Sequence, residues 1–350
     1  MVEKNVAVKP QKLAAAALEL MRREMVVPGL FFKQGIDNFK GALDDTVNIK
    51  VPGVLTARDY AWRNDRTTAI ATDVYKERKI AISFGGNAVS AAHLTDEERE
   101  FDFGGWAGSI LPAQSKAVAR ALEYGAVDTL RNGKYAVSLG AKPENIVKDI
   151  VEARRVLNRA GASKVGRVLL VGSDWDAILQ SSKELTAASV GDGVAETAFE
   201  DAYIGKIKGF TVVTSEEIDP GEAYALTGGA FVFLNAAPAV PDSVVGASGI
   251  SQDGVAMRWI KDYDSMHLME RSIVNTWYGF RQVVDPVVYW DAAKKTEVVS
   301  DAEYGIRAVK LALDGTDSYF AEGSDKTAVA KALKLDKRAK ATTYVAPAGP

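Results

Sequence analysis

Cysteine is absent from this sequence of 350 residues, and histidine occurs only twice, as His93 and His267. Without cysteine the chain has no disulfide, no thiolate nucleophile and no cysteine-ligated zinc site, and it suits a reducing compartment. The two histidines lie far apart in the sequence, so they cannot build a multi-histidine metal site. They also leave a histidine-based catalytic triad only two candidates.

Long hydrophobic runs and a strong net charge are also lacking. No stretch reaches the roughly 18 apolar residues that a membrane-spanning helix needs. Near the N-terminus, "LAAAALELMRREM" is interrupted by Glu19 and Arg22, unlike the core of a signal peptide. The formal net charge of −3 provides no global basic field for nucleic acid. We expect a soluble intracellular protein with no membrane partner, whose length allows two or three domains.

One stretch, "VGRVLLVGSDWDAIL", has the strand–turn–helix pattern of a nucleotide site. The dinucleotide fingerprint needs three glycines, whereas the turn "GSDWDA" has one glycine and two acidic residues, Asp174 and Asp176, that would repel phosphate. Ser173 is expected to cap the helix. An α/β enzyme acting on a nucleotide or sugar around Gly166–Leu179 remains an alternative. The main prediction is that the chain has no catalytic residue, cofactor or metal ion.

The first part of the chain predicts an arm, a hairpin and a long helix. In "PQKLAAAALELMRREM", a stripe of Leu13, Ala16, Ala17, Leu20 and Met21 predicts an amphipathic helix. "TVNIKV" and "RKIAISF" alternate with period two, which predicts a two-stranded hairpin with charged residues between its strands. Residues 109–132 predict a long helix, and its stripe of small residues, Ala113, Ala117, Ala121 and Gly125, is interpreted as a packing face.

The rest of the chain predicts an α/β segment and then more strands. Pro143 opens a helix, "GRVLLVGS" predicts a strand, and "YIGKIKGFTVVTSEEI" predicts another strand punctuated by Gly205 and Gly209. After "NAAPAVPDSV", the stretch "HLMERSIVNTWYGFRQVV" predicts one or two long strands. Residues 301–313 predict a short helix, and a basic tail follows.

This order of segments resembles that of the major capsid proteins of tailed bacteriophages. Their Hong Kong-type fold is shared with herpesviruses and encapsulin compartments. The local resemblance lies in "VNIKVPGVLTARDY" (Val47–Tyr60), "RRVLNRAGASKVGRVLLVG" (Arg154–Gly172) and "IGKIKGFTVVTS" (Ile204–Ser215). Each motif alone is weak, and their order and spacing over most of residues 10–290 carry the resemblance.

The resemblance implies an α+β phage major capsid fold with a peripheral and an axial domain. Its expected segments are an N-terminal arm (1–45), an extended β-hairpin loop (46–95), a peripheral domain with a spine helix (96–135), an α/β axial domain (136–240), peripheral return strands (241–300) and a C-terminal segment and tail (301–350). Gly205 and Gly209 would turn corners in the axial domain.

By the same resemblance, the protein is expected to be a structural virion protein and not an enzyme. It would form the hexamers and pentamers of an icosahedral head that encloses double-stranded DNA, touching that DNA weakly and non-specifically. Scaffolding and portal proteins would be its other partners, with assembly in the host bacterial cytoplasm. The expected intersubunit contacts are Arg58, Asp59, Arg63, Asp65, Arg66, Leu13, Leu20, Phe31 and Phe32.

Further alternatives stay open at this level. An encapsulin shell has the same fold but encloses a cargo enzyme, and a tail-tube protein would form rings or tubes. Some members of the fold crosslink a lysine to an asparagine; Lys76 and Lys79 in the hairpin and Asn275 in a return strand are of the right types, but no motif distinguishes them.

Overall fold

The protein is described from a computed structural model. The residues described are 10–34, 46–51, 53–60, 62, 67, 69–70, 72–75, 77–101, 106–182, 205–241, 246–291, 293, 295–319, 328–330 and 333. The helices are α1 Pro10–Glu24, α2 Val27–Leu30, α3 Asp96–Phe101, α4 Trp106–Arg131, α5 Ile146–Arg159 and α6 Ser173–Ser181. The strands are β1 Phe32–Gln34, β2 Thr46–Val51, β3 Arg78–Ser83, β4 Gly86–Thr95, β5 Val137–Ala141, β6 Val168–Val171, β7 Lys206–Ile207, β8 Phe210–Thr214, β9 Glu222–Leu226, β10 Phe231–Ala236, β11 Gly246–Gln252, β12 Val255–Asp264, β13 Met269–Gln282, β14 Asp285–Asp291, β15 Thr296–Tyr304, β16 Ala308–Leu313 and β17 Ser318–Tyr319.

The chain divides into two compact units. Unit 1 comprises Met1–Ile49, Ala81–Arg131 and Phe231–Arg281, and unit 2 comprises Lys50–Ile80, Asn132–Ala230 and Gln282–Pro350. Both units are mixed α and β, which confirms the predicted α+β class. Among the described residues, no helix is long and apolar enough to cross a membrane.

Unit 1 combines a sheet with the helices α1 and α4. The sheet has the strand order β1-β10-β13-β12-β11, and β4 also pairs with β13 in antiparallel fashion. Strand β13 is a single strand of 14 residues, in agreement with the long strand expected there. Helix α1 packs on α4 and on strands β11 and β12. The two longest helices of the unit therefore help to bury its sheet.

The buried face of α1 differs from the predicted stripe. Ala14, Ala17, Leu18 and Met21 are buried, whereas Leu13 and Leu20 are half-exposed and Ala16 is exposed. The buried set follows i, i+3, i+4 and i+7 spacing from Ala14, so the contact face is rotated from the one read in the sequence. The run of four alanines does not define the face by itself, because Leu18 and Met21 supply its large side chains.

Buried hydrogen bonds join α4 to the sheet of unit 1. The Gln114 side chain donates to the Ser272 carbonyl at 2.9 Å and accepts from the Ser272 hydroxyl at 2.7 Å. The Trp259 indole N–H donates to the same hydroxyl at 2.9 Å. Since an unpaired buried polar group is costly, this network fixes the position of α4 on strands β12 and β13.

Helix α4 packs only the last member of its predicted small-residue stripe. Ala113 and Ala117 are exposed and Ala121 is half-exposed, whereas a Cβ added at Gly125 would lie 2.9 Å from the Phe280 ring. The buried side of the helix instead carries Leu111, Val118, Leu122 and Leu130. Steps of four along a helix drift around its axis, so the alanine stripe lies beside the larger apolar side chains and not among them.

Unit 2 is built on a seven-stranded sheet with the order β17-β5-β16-β9-β6-β8-β7. Its core includes Ile150 on α5 and Trp175 on α6, together with Leu169, Phe210 and Tyr304 from the strands. Strands β14 and β15 form a separate antiparallel pair in this unit. Strands β2 and β3, the predicted hairpin strands, pair in a further two-stranded sheet.

Two predictions for unit 2 need correction. Residues 301–313 were expected to form a helix but form the end of β15 and the strand β16. Strand β16 lies between β5 and β9, and a short apolar run of a buried strand cannot be told from a helix by its periodicity. The strand predicted in "YIGKIKGFTVVTSEEI" is two strands, β7 and β8, joined at Lys208 and Gly209, with φ values of 46° and 89°. Two consecutive positive φ values are typical of the type I′ hairpin turn.

Candidate assembly surfaces

The segment between β2 and β3 presents an unusual number of exposed apolar side chains. Trp62 is 90% exposed and Val74 is 78% exposed. The other large apolar side chains exposed along this segment are Val54, Leu55, Ile70 and Tyr75. Exposed apolar side chains grouped in one segment, unlike scattered ones, indicate a surface that a partner covers.

Asp73 links the two ends of this segment by contacts with Thr56 and Arg58. Its carboxylate accepts hydrogen bonds from the Thr56 backbone N–H at 3.1 Å and from the Thr56 hydroxyl at 2.6 Å, and it pairs with the Arg58 guanidinium. The hydrogen bond from the Thr56 hydroxyl, followed by that from Arg58, lowers the pKa of Asp73 below its ordinary value. The ionised carboxylate therefore holds residues 56–58 and 73 together.

Strands β14 and β15 give the segment a second attachment. The backbone N–H of Ala57 donates to the Glu297 carboxylate at 2.9 Å, and the backbone N–H of Glu297 donates to the Ala57 carbonyl at 2.9 Å. Arg58 forms an antiparallel bridge with Thr296, and the Asp59 N–H donates to the Lys295 carbonyl at 3.1 Å. Residues 57–59 thus add a short strand-like pairing at the beginning of β15.

Two of the five charged residues predicted at intersubunit contacts, Arg58 and Asp59, make contacts within their own chain. Arg58 makes an ion pair within its own chain, with Asp73, and Asp59 uses its backbone N–H within the chain. Arg63, Asp65 and Arg66 lie outside the described residues. The Asp73 and Glu297 attachments were not found by sequence reasoning, because neither residue belongs to a local motif with Thr56 or Ala57.

A second ionic cluster lies at the start of β3. Arg78 donates through Nη2 to the Asp285 carboxylate at 2.8 Å, through Nη1 to Glu303 at 3.0 Å and to the Val284 carbonyl at 3.2 Å. Asp285 also pairs with Arg307. Burial acts to lower the pKa of Arg78, but the hydrogen bonds to Asp285 and Glu303 outweigh it, so that the pKa is raised. Arg78 therefore stays charged where β3 begins.

The geometry at α6 argues against a nucleotide site. The N-cap is Gly172 rather than the expected Ser173, and no side chain caps the helix. The backbone N–H of Asp174 donates to the Pro220 carbonyl at 3.2 Å, and a Cβ added at Gly172 would lie 2.4 Å from the Asp219 carbonyl oxygen. The backbone of residues 219 and 220 therefore covers the N–H groups that a phosphate would need.

Comparison with known proteins agrees with an assembly role. A sequence model described as phage capsid protein matches residues 90–293, more than half of the chain. The chain belongs to the phage capsid protein family. A search of curated proteins gave no match.

Solved structures show the same fold over most of this capsid protein. A structure from Mycobacterium phage Che8 has a TM-score of 0.56 at 16% identity, over 89% of this chain and 94% of that chain. The capsid of the cyanophage P-SCSP1u has a TM-score of 0.56 at 8% identity, over 89% and 91%. The mature capsid of bacteriophage PhiM1 has a TM-score of 0.55 at 12% identity, over 89% and 90%. The predicted capsid fold is confirmed, and the protein is a structural subunit of a phage head.

The four apolar residues expected at capsid intersubunit contacts differ in their exposure. Phe31 is only 5% exposed; its ring stacks on Phe231 at 5.1 Å and meets the edge of Phe280 at 6.0 Å. Its ring is thus used in the core of unit 1 and is not presented to a neighbour. Phe32, the next residue, is about half exposed. Leu13 and Leu20 keep part of their surface open on α1.

A buried carboxylate fixes the chain just before these phenylalanines. Glu123 on α4 is buried, and it accepts hydrogen bonds from the backbone N–H groups of Val26 at 3.1 Å and Val27 at 2.9 Å. These donors belong to the N-terminal end of α2, which a carboxylate stabilises through both hydrogen bonds and charge. The N-terminal segment is thereby attached to helix α4 of its own subunit.

The turn between β12 and β13 is a further exposed apolar surface of this capsid protein. Met266 is 87% exposed, and Tyr263 and Leu268 are also exposed. The Asp264 carboxylate accepts from the Met266 backbone N–H at 3.0 Å and contacts His267 Nδ1 at 3.0 Å. Sequence reasoning missed this surface, although the stretch "DYDSMHL" combines a turn-forming Asp–Ser pair with apolar residues on both sides.

The residues considered for a crosslink differ in burial, since Asn275 is buried and Lys79 is exposed. Asn275 is buried; its side chain accepts from Arg258 Nε at 3.1 Å and donates to the side-chain oxygen Oδ1 of Asn87 at 3.3 Å. Lys79 is exposed on β3, and Lys76 lies outside the described residues. An amide held on both sides in this way is poorly placed to react with a lysine.

Proposed function

We propose that this capsid subunit assembles into the hexamers and pentamers of an icosahedral head that encloses double-stranded DNA. Its role is structural and requires no catalytic residue, cofactor or metal ion. Scaffolding and portal proteins are its other partners, and assembly takes place in the host bacterial cytoplasm before the protein becomes part of the virion.

One observation carries this proposal: the segment between β2 and β3 is tied down at defined points yet leaves its apolar side chains exposed. Asp73 and Glu297 fix residues 56–58 through hydrogen bonds, while Trp62 and Val74 remain exposed. Burial of such side chains against a neighbour is worth about 25 cal/mol per Å² of apolar surface. Repetition of the contact by closed symmetry would add this small gain over every subunit of a shell.

The domain roles follow the predicted boundaries. Residues 46–95 act as the extended loop, residues 96–135 as the peripheral domain with α4 as its spine helix, and residues 136–240 as the axial domain. Residues 241–300 return to the peripheral domain, and residues 1–45 and 301–350 form the arm and the C-terminal segment. Gly205 and Gly209, both with positive φ, form the turns of the axial domain.

The intersubunit contacts proposed are of two kinds. Phe32, Leu13 and Leu20 retain open surface in the structure, and the charges Arg63, Asp65 and Arg66 lie in the sequence between β2 and β3. Surface ion pairs contribute only about 0 to 1 kcal/mol each. We therefore assign the assembly energy to apolar burial and give these charges the role of orienting neighbours.

The test is expression of the chain alone and with the scaffolding protein of its own phage, followed by negative-stain electron microscopy and sedimentation velocity. Closed shells or curved sheets are expected, and the particle diameter separates a phage head from the small compartment of an encapsulin. Rings or tubes would identify a tail-tube protein instead. A monomer that forms no shell even with the scaffolding protein would contradict the proposal.

A further inference from the structure

Unit 2 carries a group of basic side chains at the junction of α5 with the β7–β8 turn. Arg154 on α5 donates through Nη1 to the Lys208 carbonyl at 2.8 Å. A Cβ added at Gly209 would lie 3.3 Å from the Arg154 guanidinium carbon, so this guanidinium lies against the turn. Lys206 and Lys208 are both exposed on the same hairpin. We refer to Arg154, Arg167, Lys206 and Lys208 as the basic cluster.

Arg167 adds a buried positive charge to the basic cluster. It is only 4% exposed, and its guanidinium donates to the Ser163 carbonyl at 2.7 Å and to the Ala162 carbonyl at 3.0 Å. Burial, and then the positive charge of Arg154, lower its pKa below the ordinary value. The Thr211 backbone N–H on β8 donates to the Arg167 carbonyl at 3.0 Å, so Arg167 lies beside the same hairpin.

Carbonyl groups, and no carboxylate, contact this cluster in the part of the chain that the structure describes. Neither Arg154 nor Arg167 has an acidic partner there, and neither lysine does. Arg155, the next residue on α5, shows the contrast, because Glu152 binds it through two hydrogen bonds. Within the described residues these like charges therefore lie together without an acidic partner, which costs stability unless an anion binds.

The β7–β8 turn holds Lys208 in a left-handed conformation, with a φ of 46°, that disfavours lysine and suits glycine or asparagine. Its side chain is exposed at this turn.

We propose that Arg154, Lys206 and Lys208, the exposed members of the basic cluster, bind the phosphate backbone of double-stranded DNA, and that the buried Arg167 adds positive charge behind them. This proposal rests on the proposed function, since the head would bring DNA into contact with its subunits. DNA carries one negative charge per about 1.7 Å of its axis. Exposed lysine and arginine side chains pair with these phosphates whatever the base sequence. The chain as a whole has a net charge of −3, so the contact is local and weak, as a packaged genome requires.

The decisive experiment measures DNA binding by the unassembled full-length subunit. A short fluorescein-labelled duplex is titrated with protein at several salt concentrations, and affinity is read from fluorescence anisotropy. The test variant is Arg154→Gln with Lys208→Asn, since asparagine tolerates the positive φ of the turn. The matched control is Arg120→Gln with Lys295→Asn, because Arg120 is an exposed helical arginine and Lys295 an exposed lysine with a φ of 50°. Both variants lose the same charge and keep the basic tail.

We expect the test variant to bind DNA about tenfold more weakly than the control at low salt. Its plot of log affinity against log salt should be shallower by about 2, because each of the two removed cations would neutralise one phosphate. Equal binding by the two variants would overturn the proposal. A test variant that binds DNA like the control but forms no shells, while the control does, would also overturn it and would assign the cluster to an acidic surface of a neighbouring subunit. Absence of shells from every variant would contradict the proposed function without changing the result on DNA.

Discussion

Arg78 and Asp285, far apart in the sequence, are joined in unit 2 by a hydrogen bond of 2.8 Å between Nη2 and Oδ1. The bond attaches the first residue of β3 to the first residue of β14. Asp285 accepts from Arg307 as well, so one largely buried carboxylate pairs with two guanidinium groups. The Arg78 Nε is buried without a partner among the described residues, which increases the dependence of Arg78 on its remaining contacts.

Replacement of Asp285 by asparagine should strongly destabilise the unassembled subunit. Removal of one partner from a buried ion pair leaves an uncompensated charge and costs about 3 to 5 kcal/mol. Chemical denaturation of Asp285→Asn measures this change. The control is Glu19→Gln, which removes an exposed ion pair with Arg22 and should cost under about 1 kcal/mol. Equal losses of unfolding free energy in the two variants would contradict the larger contribution assigned to the Asp285 ion pairs.

Glu123 should be needed to hold the chain at α2. Glu123→Ala leaves the buried N–H of Val27 and the half-buried N–H of Val26 unpaired, and each unpaired buried group costs about 1 to 3 kcal/mol. Glu123→Gln keeps one acceptor oxygen and should cost less. The free energy of unfolding and the hydrogen exchange of the two amides report the change. Unchanged exchange in Glu123→Ala would contradict the assigned contact.

The pKa of Asp73 gives a pH-dependent prediction. Because hydrogen bonds from Thr56 and Arg58 lower this pKa in the folded state, they stabilise the protein above the unfolded value of about 3.9. That contribution is lost as the pH falls through the lower, folded pKa. Thr56→Val removes the hydroxyl and should raise the pKa of Asp73 toward its ordinary value, as measured by NMR titration of the carboxyl carbon. Asp264, whose pKa is lowered by His267, is the internal control and should not move.

Gly279 should not tolerate a side chain. A Cβ at this position would lie 2.4 Å from the Ser83 carbonyl oxygen, which is backbone and cannot move aside cheaply. Gly279→Ala should therefore destabilise the subunit by about 1 to 3 kcal/mol. The control Gly249→Ala places its Cβ 3.7 Å from Val240, an ordinary contact, and should be neutral or stabilising by about 0.5 kcal/mol. Similar melting temperatures for both variants would contradict this packing.

Trp62 and Val74 should be required for assembly and dispensable for folding. Since both are largely exposed, Trp62→Ser combined with Val74→Ser should leave the unfolding transition of the subunit unchanged. Shell yield in electron microscopy should fall sharply. Val165→Ser, which changes an exposed apolar residue of another loop, is the control. Normal shells from the double variant would remove this segment from the assembly surface.

Local patterns in the sequence were sufficient for several individual elements. Helical spacing predicted α1, Pro143 and the apolar spacing after it predicted α5, and period-two alternation predicted β2 and β3. The order of motifs from Val47 to Ser215 pointed to the capsid family that the comparisons confirm. These features depend on residues close together in the chain, and such patterns report local backbone preference and the burial of one face.

The contacts that organise the surfaces depended on tertiary structure. Rotation of α1 onto its Ala14 face, burial of Phe31 and formation of β16 in place of a helix follow from what each segment packs against. Asp285 with Arg78, and Arg154 with Lys208, are pairs distant in sequence that no local pattern joins. The sequence by itself determined that segments such as α1, α5, β2 and β3 form helices or strands, and which family the chain resembles. Tertiary structure decided which faces are buried and which charges are neutralised, because those depend on neighbours that only the folded chain brings together.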